Sequence, residues 1–130
     1  MNLRVRFAET DQMGVAHHSA YVVWLEAARI EWLRDRGLDY RRLEEAGVAL
    51  AVSALTVQYL KSSRFDDELT VDAEMTELRS RRARFRYVIR RGTERIATAD
   101  TLHTPVTPAG RATRLPGEWL GRLQNEVVNP

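Results

Sequence analysis

The sequence predicts an α+β domain in which a five-stranded, largely antiparallel sheet wraps around one long helix, with short additional helices. The helical segment that comes early, YVVWLEAARIEW, is almost wholly apolar in its first half. One alternating segment precedes it, and four strand-like segments follow it, joined mostly by tight polar turns. A run of strands after a helix places helix and antiparallel sheet in separate layers. The 130 residues form one domain, 1–130, long enough to remove about two-thirds of the unfolded surface from water.

From Met1 to Ala8, Leu3, Val5 and Phe7 alternate with Asn2, Arg4 and Arg6, the period of a half-buried first strand. Glu9 to His18 is a turn segment. Ser19 suits an N-cap, and the long helix runs from Tyr21 to Arg36, where Gly37 stops it. Asp39 caps a short second helix, Tyr40 to Ala46, closed by Gly47. Val48 to Leu60 reads as a long strand, continuously apolar at its start (VALAV) as though sandwiched between layers, then alternating toward an edge of the core. After the polar turn KSSRFDD, Leu69, Val71, Ala73 and Met75 face one way in a third strand. Beyond the basic turn Arg79 to Arg82, Ala83, Phe85, Tyr87 and Ile89 do the same in a fourth. Gly92 and Thr93 make a hairpin into a fifth strand, Ile96 to Pro105. Pro116 opens a short terminal helix carrying Trp119, Leu120 and Leu123, and Asn125 to Pro130 are expected to fray.

A helix apolar nearly all round needs cover on more than one side. A single small sheet does not supply it, so a partner subunit is expected to complete the burial, most simply in a symmetric dimer.

Composition narrows the chemistry. The chain has no cysteine, which excludes a disulfide framework and a thiol nucleophile, and its three His have no ligand-spaced partner, so no metal is expected. No apolar run approaches the ~20 residues of a membrane span, and MNLRVRF lacks the apolar core of a signal peptide; a cytoplasmic protein without membrane insertion is expected. Net charge is +2, and Lys61 is the single lysine. Arginines along the fourth strand (Arg82, Arg84, Arg86, Arg90) would suit nucleic acid, but no aromatic residues interleave with them as stacking platforms.

The chemistry concentrates in FAETDQMGVAHHSAY, Phe7 to Tyr21. Gly14 lets the backbone turn sharply beneath Asp11, bringing its carboxylate toward a helix start. There a carboxylate serves as a cap, or attacks an acyl carbon or deprotonates water, while unpaired helix N–H groups bind the oxyanion. Of two successive His on a turn only one is expected to face the site, and His18, nearer the helix, is chosen over His17. Glu26 and Arg29, three apart, can pair along one helix face; alternatively Glu26 orients the site or contacts the partner subunit.

These residues resemble a known family. ETDQMGVAHHSAY followed by VVWLEAAR is similar to the hotdog-fold acyl-CoA thioesterases of the 4-hydroxybenzoyl-CoA thioesterase type, including the Tol-Pal-associated branch. Their pattern is a T-D-x-x-G-V turn, a His or Asn, a Tyr, and a helix with E-x-x-R. YLKSSRFDDELTV is similar to their Y-x-K-P-A-R-Y-D-D-x-L-x-V, with Ser62 in place of the proline, and Ala16-His17 replace the commoner Val-Tyr.

The resemblance implies a homodimeric or homotetrameric acyl-CoA thioesterase with its site at a subunit interface and no cofactor beyond the CoA of the substrate. Asp11 matches the catalytic carboxylate, nucleophile or general base. His18 matches the branch's His, and the backbone N–H at or beside it the donor to the thioester carbonyl. Gly14, Val15, Tyr21 and Glu26 are expected among the substrate-binding residues; with Arg29 they match positions of the pattern without an assigned chemical step. With CoA as substrate, Lys61, Arg64, Ser80, Arg81 and Arg82 become candidates for its phosphates. A hydratase or dehydratase on the same scaffold, or a non-catalytic acyl-thioester binder, are the alternatives.

Overall fold

In the computed structural model, residues 1–129 are described; Pro130 lies outside them. The chain runs β1 (Asn2–Arg4), a single 3-10 turn (Phe7–Glu9), α1 (His18–Asp35), α2 (Tyr40–Glu45), β2 (Ala49–Tyr59), β3 (Glu68–Arg79), β4 (Arg82–Arg91), β5 (Glu94–Val106) and α3 (Gly117–Leu123). The five strands form one antiparallel sheet in the order β1-β3-β4-β5-β2.

The alternation in β3 and β4 translates directly into a buried inner face. Leu69, Val71 and Met75 of β3 and Ala83, Phe85, Tyr87 and Ile89 of β4 are all buried. Helix α1 lies on this face through Tyr21, Trp24, Leu25, Ala28 and Trp32, whose three- and four-residue spacing makes one stripe. Trp32 meets Phe85 edge-on at a centroid distance of 5.3 Å. Each such buried aromatic removes more apolar area than any aliphatic neighbour, so this contact anchors the helix register.

Several expectations are corrected. The first strand ends at Arg4; the chain bends after Val5, and Phe7, expected inward, is 76% exposed on the 3-10 turn. The N-cap of α1 is His17, whose Nδ1 accepts from the Ser19 amide, so the helix starts before Ser19. The incomplete cover expected for helix α1, by contrast, is what the chain shows: Val22 and Val23 remain 41% and 57% exposed. Strand β2 is not sandwiched at its start: Ala51 and Val52 of the apolar run are exposed, and the strand is the sheet's outermost, pairing only with β5. The tail does not fray over its first residues, since Val128 N–H donates to Met75 O at 2.9 Å and Glu126 pairs with Arg36.

Direction along the sheet places the site. Tyr59 pairs with Ala97 at one end of β2 and Ala49 with Val106 at the other. The β3–β4 hairpin, with Arg79 opposite Arg82 beyond the Ala83–His103 pairing, therefore lies at the Ala49 end. The start of α1 lies at the Tyr59 end, where the Tyr59 hydroxyl reaches the His18 carbonyl.

Candidate active site

Residues 11–15 close a tight turn: Asp11 N–H donates to Val15 O at 2.9 Å and Gly14 N–H to Asp11 O at 3.0 Å. Gly14 has φ +77°, a left-handed conformation that any side chain would strain, which is why glycine stands there. Inside the turn Asp11 Oδ1 accepts from the amides of Met13 (2.9 Å) and Val15 (3.2 Å). Among the described residues nothing binds Oδ2. One oxygen is fixed by the main chain and the other is free, which orients a carboxylate without consuming it.

The turn is sewn to the β2–β3 connection. Ala16 N–H donates to Ser63 O at 2.8 Å, Val15 bridges Arg64, and Arg64 Nη1 donates to Met13 O at 3.3 Å. From there the chain enters α1. His17 Nδ1 lies 3.1 Å from the Ser19 amide and 2.8 Å from its hydroxyl. The His18 amide, first of the helix, has no hydrogen-bond acceptor among the described residues. An orphan amide at a helix start, on the positive end of the helix dipole, is a ready donor to an anion.

A cavity of about 610 Å³ opens between these elements, lined by Asp11, Val15, Ala16, His17, His18 and Tyr21 on one side and by Tyr59 to Ser62 on the other. Its walls are apolar near Val15, Tyr21, Tyr59 and Leu60 and polar at Asp11 and the histidines, the mixed lining common to small-molecule pockets. Tyr59 stands edge-on to Tyr21 at 5.0 Å. Burial, then the neighbouring Tyr21, push the Tyr59 phenol above its ordinary range, so it stays a neutral donor. Both histidines face the cavity, their rings stacked at 4.2 Å. The expectation that only His18 would do so is overturned, because His17 is extended and His18 helical, so the two side chains converge.

Other candidates are placed elsewhere. Glu9 lies off the cavity: its carboxylate accepts from the Arg6 amide and from Trp24 Nε1, both at 2.8 Å. Burial raises its pKa, but these contacts win and hold it below the ordinary value. Glu26 and Arg29 do not pair; Glu26 is exposed, and Arg29 Nη1 donates to Tyr87 Oη at 3.1 Å. Lys61 lines the cavity but pairs with Glu94 at 2.5 Å. Ser80, Arg81 and Arg82 sit on the β3–β4 hairpin, away from Asp11 in the same chain; Ser80 O accepts from Leu115 and Arg82 pairs with Glu77. On the outer sheet face Arg84, Arg86 and Arg90 pair with Asp100, Glu74 and Asp72, so this surface is charge-balanced. Among the described residues no three His, Asp or Glu are grouped as metal ligands, and no helix is long and apolar enough to cross a membrane.

Sequence reasoning missed one buried chain. Arg29 donates to Tyr87, Tyr87 Oη lies 2.6 Å from Thr101 Oγ1, and Thr101 Oγ1 lies 2.8 Å from His103 Nε2. A guanidinium only donates, so the hydroxyls are satisfied when each passes its proton onward, leaving Nε2 as acceptor and the His103 proton on Nδ1. His103 is fully buried and its Nδ1 has no hydrogen-bond partner among the described residues, with the Leu50 main chain its polar neighbour. Burial, reinforced by the Arg29 charge, pushes its pKa down to about 4. The only signal was a histidine at an inward position of a strand.

A five-stranded antiparallel sheet packed on one long helix is the hotdog fold. The chain belongs to the thioesterase-like superfamily, whose profile matches residues 5–123. It is 32% identical over 98 residues to the acyl-CoA thioesterase YbgC of Haemophilus influenzae, covering 75% of this chain and 72% of that protein. Among solved structures, a Thermus thermophilus protein, TT1821, superposes with TM-score 0.92 at 39% identity over 97% of both chains. The DHNA-CoA thioesterase of Staphylococcus aureus superposes with TM-score 0.91 at 27% identity, covering 99% of this chain and 95% of that one.

Proposed function

We propose that this protein is an acyl-CoA thioesterase that hydrolyses a thioester to a free carboxylate and CoA, with Asp11 as nucleophile or general base. The observation that carries this reading is the Asp11 carboxylate, held on Oδ1 by two amides with Oδ2 free, in the same cavity as His18 at the start of α1. As nucleophile, Oδ2 bonds to the acyl carbon, the C–S bond breaks, and water hydrolyses the resulting anhydride. As base, it takes a proton from water, whose oxygen attacks the same carbon. Both routes place negative charge on the carbonyl oxygen, for which the unoccupied His18 amide is the donor, with the His18 ring assisting by hydrogen bonding or proton transfer. Neither route calls on a metal or redox cofactor.

The working unit in this reading is a homodimer, with pairing of dimers into a tetramer as its extension. Strand β2 is an eleven-residue edge strand with exposed Val52 and Leu55, and it carries neither Lys nor Pro to discourage pairing. Exposed Val22 of α1 adds to this uncovered surface. Antiparallel pairing of β2 with a second copy would bring the partner's Ser80–Arg82 hairpin to the Asp11 end, where those residues, with Lys61 and Arg64, are proposed to meet the CoA phosphates.

The test is thiol release from short, long and aromatic acyl-CoAs, read with no background because the chain has no cysteine. Release by the wild type and its loss in Asp11→Asn is the expected result. Undiminished turnover in the folded variant would sink the assignment of Asp11.

A further inference from the structure

Ser63 is fully buried in the polar turn between β2 and β3, yet it is polar at both ends. Its carbonyl accepts from the Ala16 amide at 2.8 Å, on the segment that leads from Asp11's turn to His18. Its hydroxyl lies 2.8 Å from the hydroxyl of Tyr21, itself 2% exposed. Tyr21 has no other hydrogen-bond partner for that hydroxyl among the described residues, and its ring forms a wall of the Asp11 cavity against Tyr59. Arg64 and Lys61 beside it are exposed, whereas buried Ser63 ties together two separate parts of the site.

We propose that Ser63 is a positioning residue: through its carbonyl and its hydroxyl it fixes the Asp11–His18 segment and the Tyr21 ring relative to one another. This rests on the thioesterase reading for its catalytic consequence, but not for its structural one. A Tyr hydroxyl and a Ser hydroxyl buried face to face have no water to fall back on, so deleting either leaves the other unsatisfied and drives a local shift. That shift falls on the pocket wall and on the donor at His18. Interactions that count only in the transition state are then lost, and kcat falls more than KM rises.

The experiment compares Ser63→Ala, Tyr21→Phe and the double variant. Each is expected to lose about tenfold in kcat, a loss worth one decade of rate, with KM changed about twofold or less. The double variant is expected to be no worse than either single one, because all three remove one shared contact. It also regains most of the thermal stability that each single variant loses, since no hydroxyl is left unpaired. Unchanged kcat in Ser63→Ala, or a double variant whose loss is the product of the two single losses, overturns the proposal. Amide exchange over residues 11–18 gives a readout independent of turnover. Faster exchange in Ser63→Ala supports the positioning role even if no acyl-CoA is hydrolysed, an outcome that would remove the thioesterase reading alone. Unchanged exchange removes the positioning role even in an active enzyme.

Discussion

Acid should unfold this protein earlier than its carboxylates alone require, because of His103. Above pH 6.5 the imidazole is neutral in both folded and unfolded chains and contributes no pH dependence. Between 6.5 and the folded value of about 4 only the unfolded chain takes up the proton, so stability falls as pH falls through that window and levels off below it. With those two values the loss from pH 7.5 to pH 5 is about 2 kcal/mol, approaching about 3 kcal/mol near pH 4. Glu9, Asp39 and Glu94, whose carboxyls are held below their ordinary values, lose their contribution at lower pH, as the unfolded chain titrates near 4 to 4.5 and the folded one below it. The window above pH 5 therefore isolates His103 from them. The assay is urea unfolding followed by tryptophan fluorescence at fixed protein concentration, in wild type and His103→Gln. The wild type should lose stability more steeply than the variant over that window. Parallel curves for the two proteins would refute the burial argument.

Gly14→Ala should cost about 1 kcal/mol in unfolding free energy from the left-handed φ alone, because the added Cβ would meet only Arg64 Nη1 at an ordinary 3.6 Å. Glu9→Gln, which weakens the acceptors for Trp24 Nε1 and the Arg6 amide, should lower stability at pH 7 by about 1 kcal/mol, with the difference shrinking as pH falls below the unfolded carboxyl value. Leu55→Lys, placing a charge on the exposed β2 surface, should shift the protein toward monomer in light scattering; an unchanged mass would place the contact between copies elsewhere. Glu26→Gln should leave the helix content by circular dichroism unchanged, since Glu26 has no ion-pair partner among the described residues.

The inward faces of β3 and β4 were readable because a strand's side chains alternate sides regardless of context, and the same residues that alternate in the sequence are the buried ones. The glycine stops at Gly37 and Gly47 were readable because φ near +80° is a local requirement. Asp11 with Gly14 was legible as a turn for the same reason, although which of its oxygens the amides would occupy was not. Phe7 misled because one bend after Val5 ends the alternation, and that bend is set by backbone bonds from Val5 to Asp66 and Asp67, distant in sequence. Glu26 and Arg29 misled because spacing along a helix permits a pair but does not weigh it against a Tyr87 hydroxyl on the sheet below.

By itself the sequence determined the order and type of elements, the turn that presents Asp11, and the excess of apolar surface on α1, because these follow from local periodicity and backbone preference. Only the tertiary structure decided that His17 and His18 share a cavity, that Ser63 meets Tyr21 across 42 positions, and that Arg29, Tyr87, Thr101 and His103 join in one buried chain. Each of these joins groups from different elements, and a buried polar atom's choice of partner is fixed by what packing brings within reach.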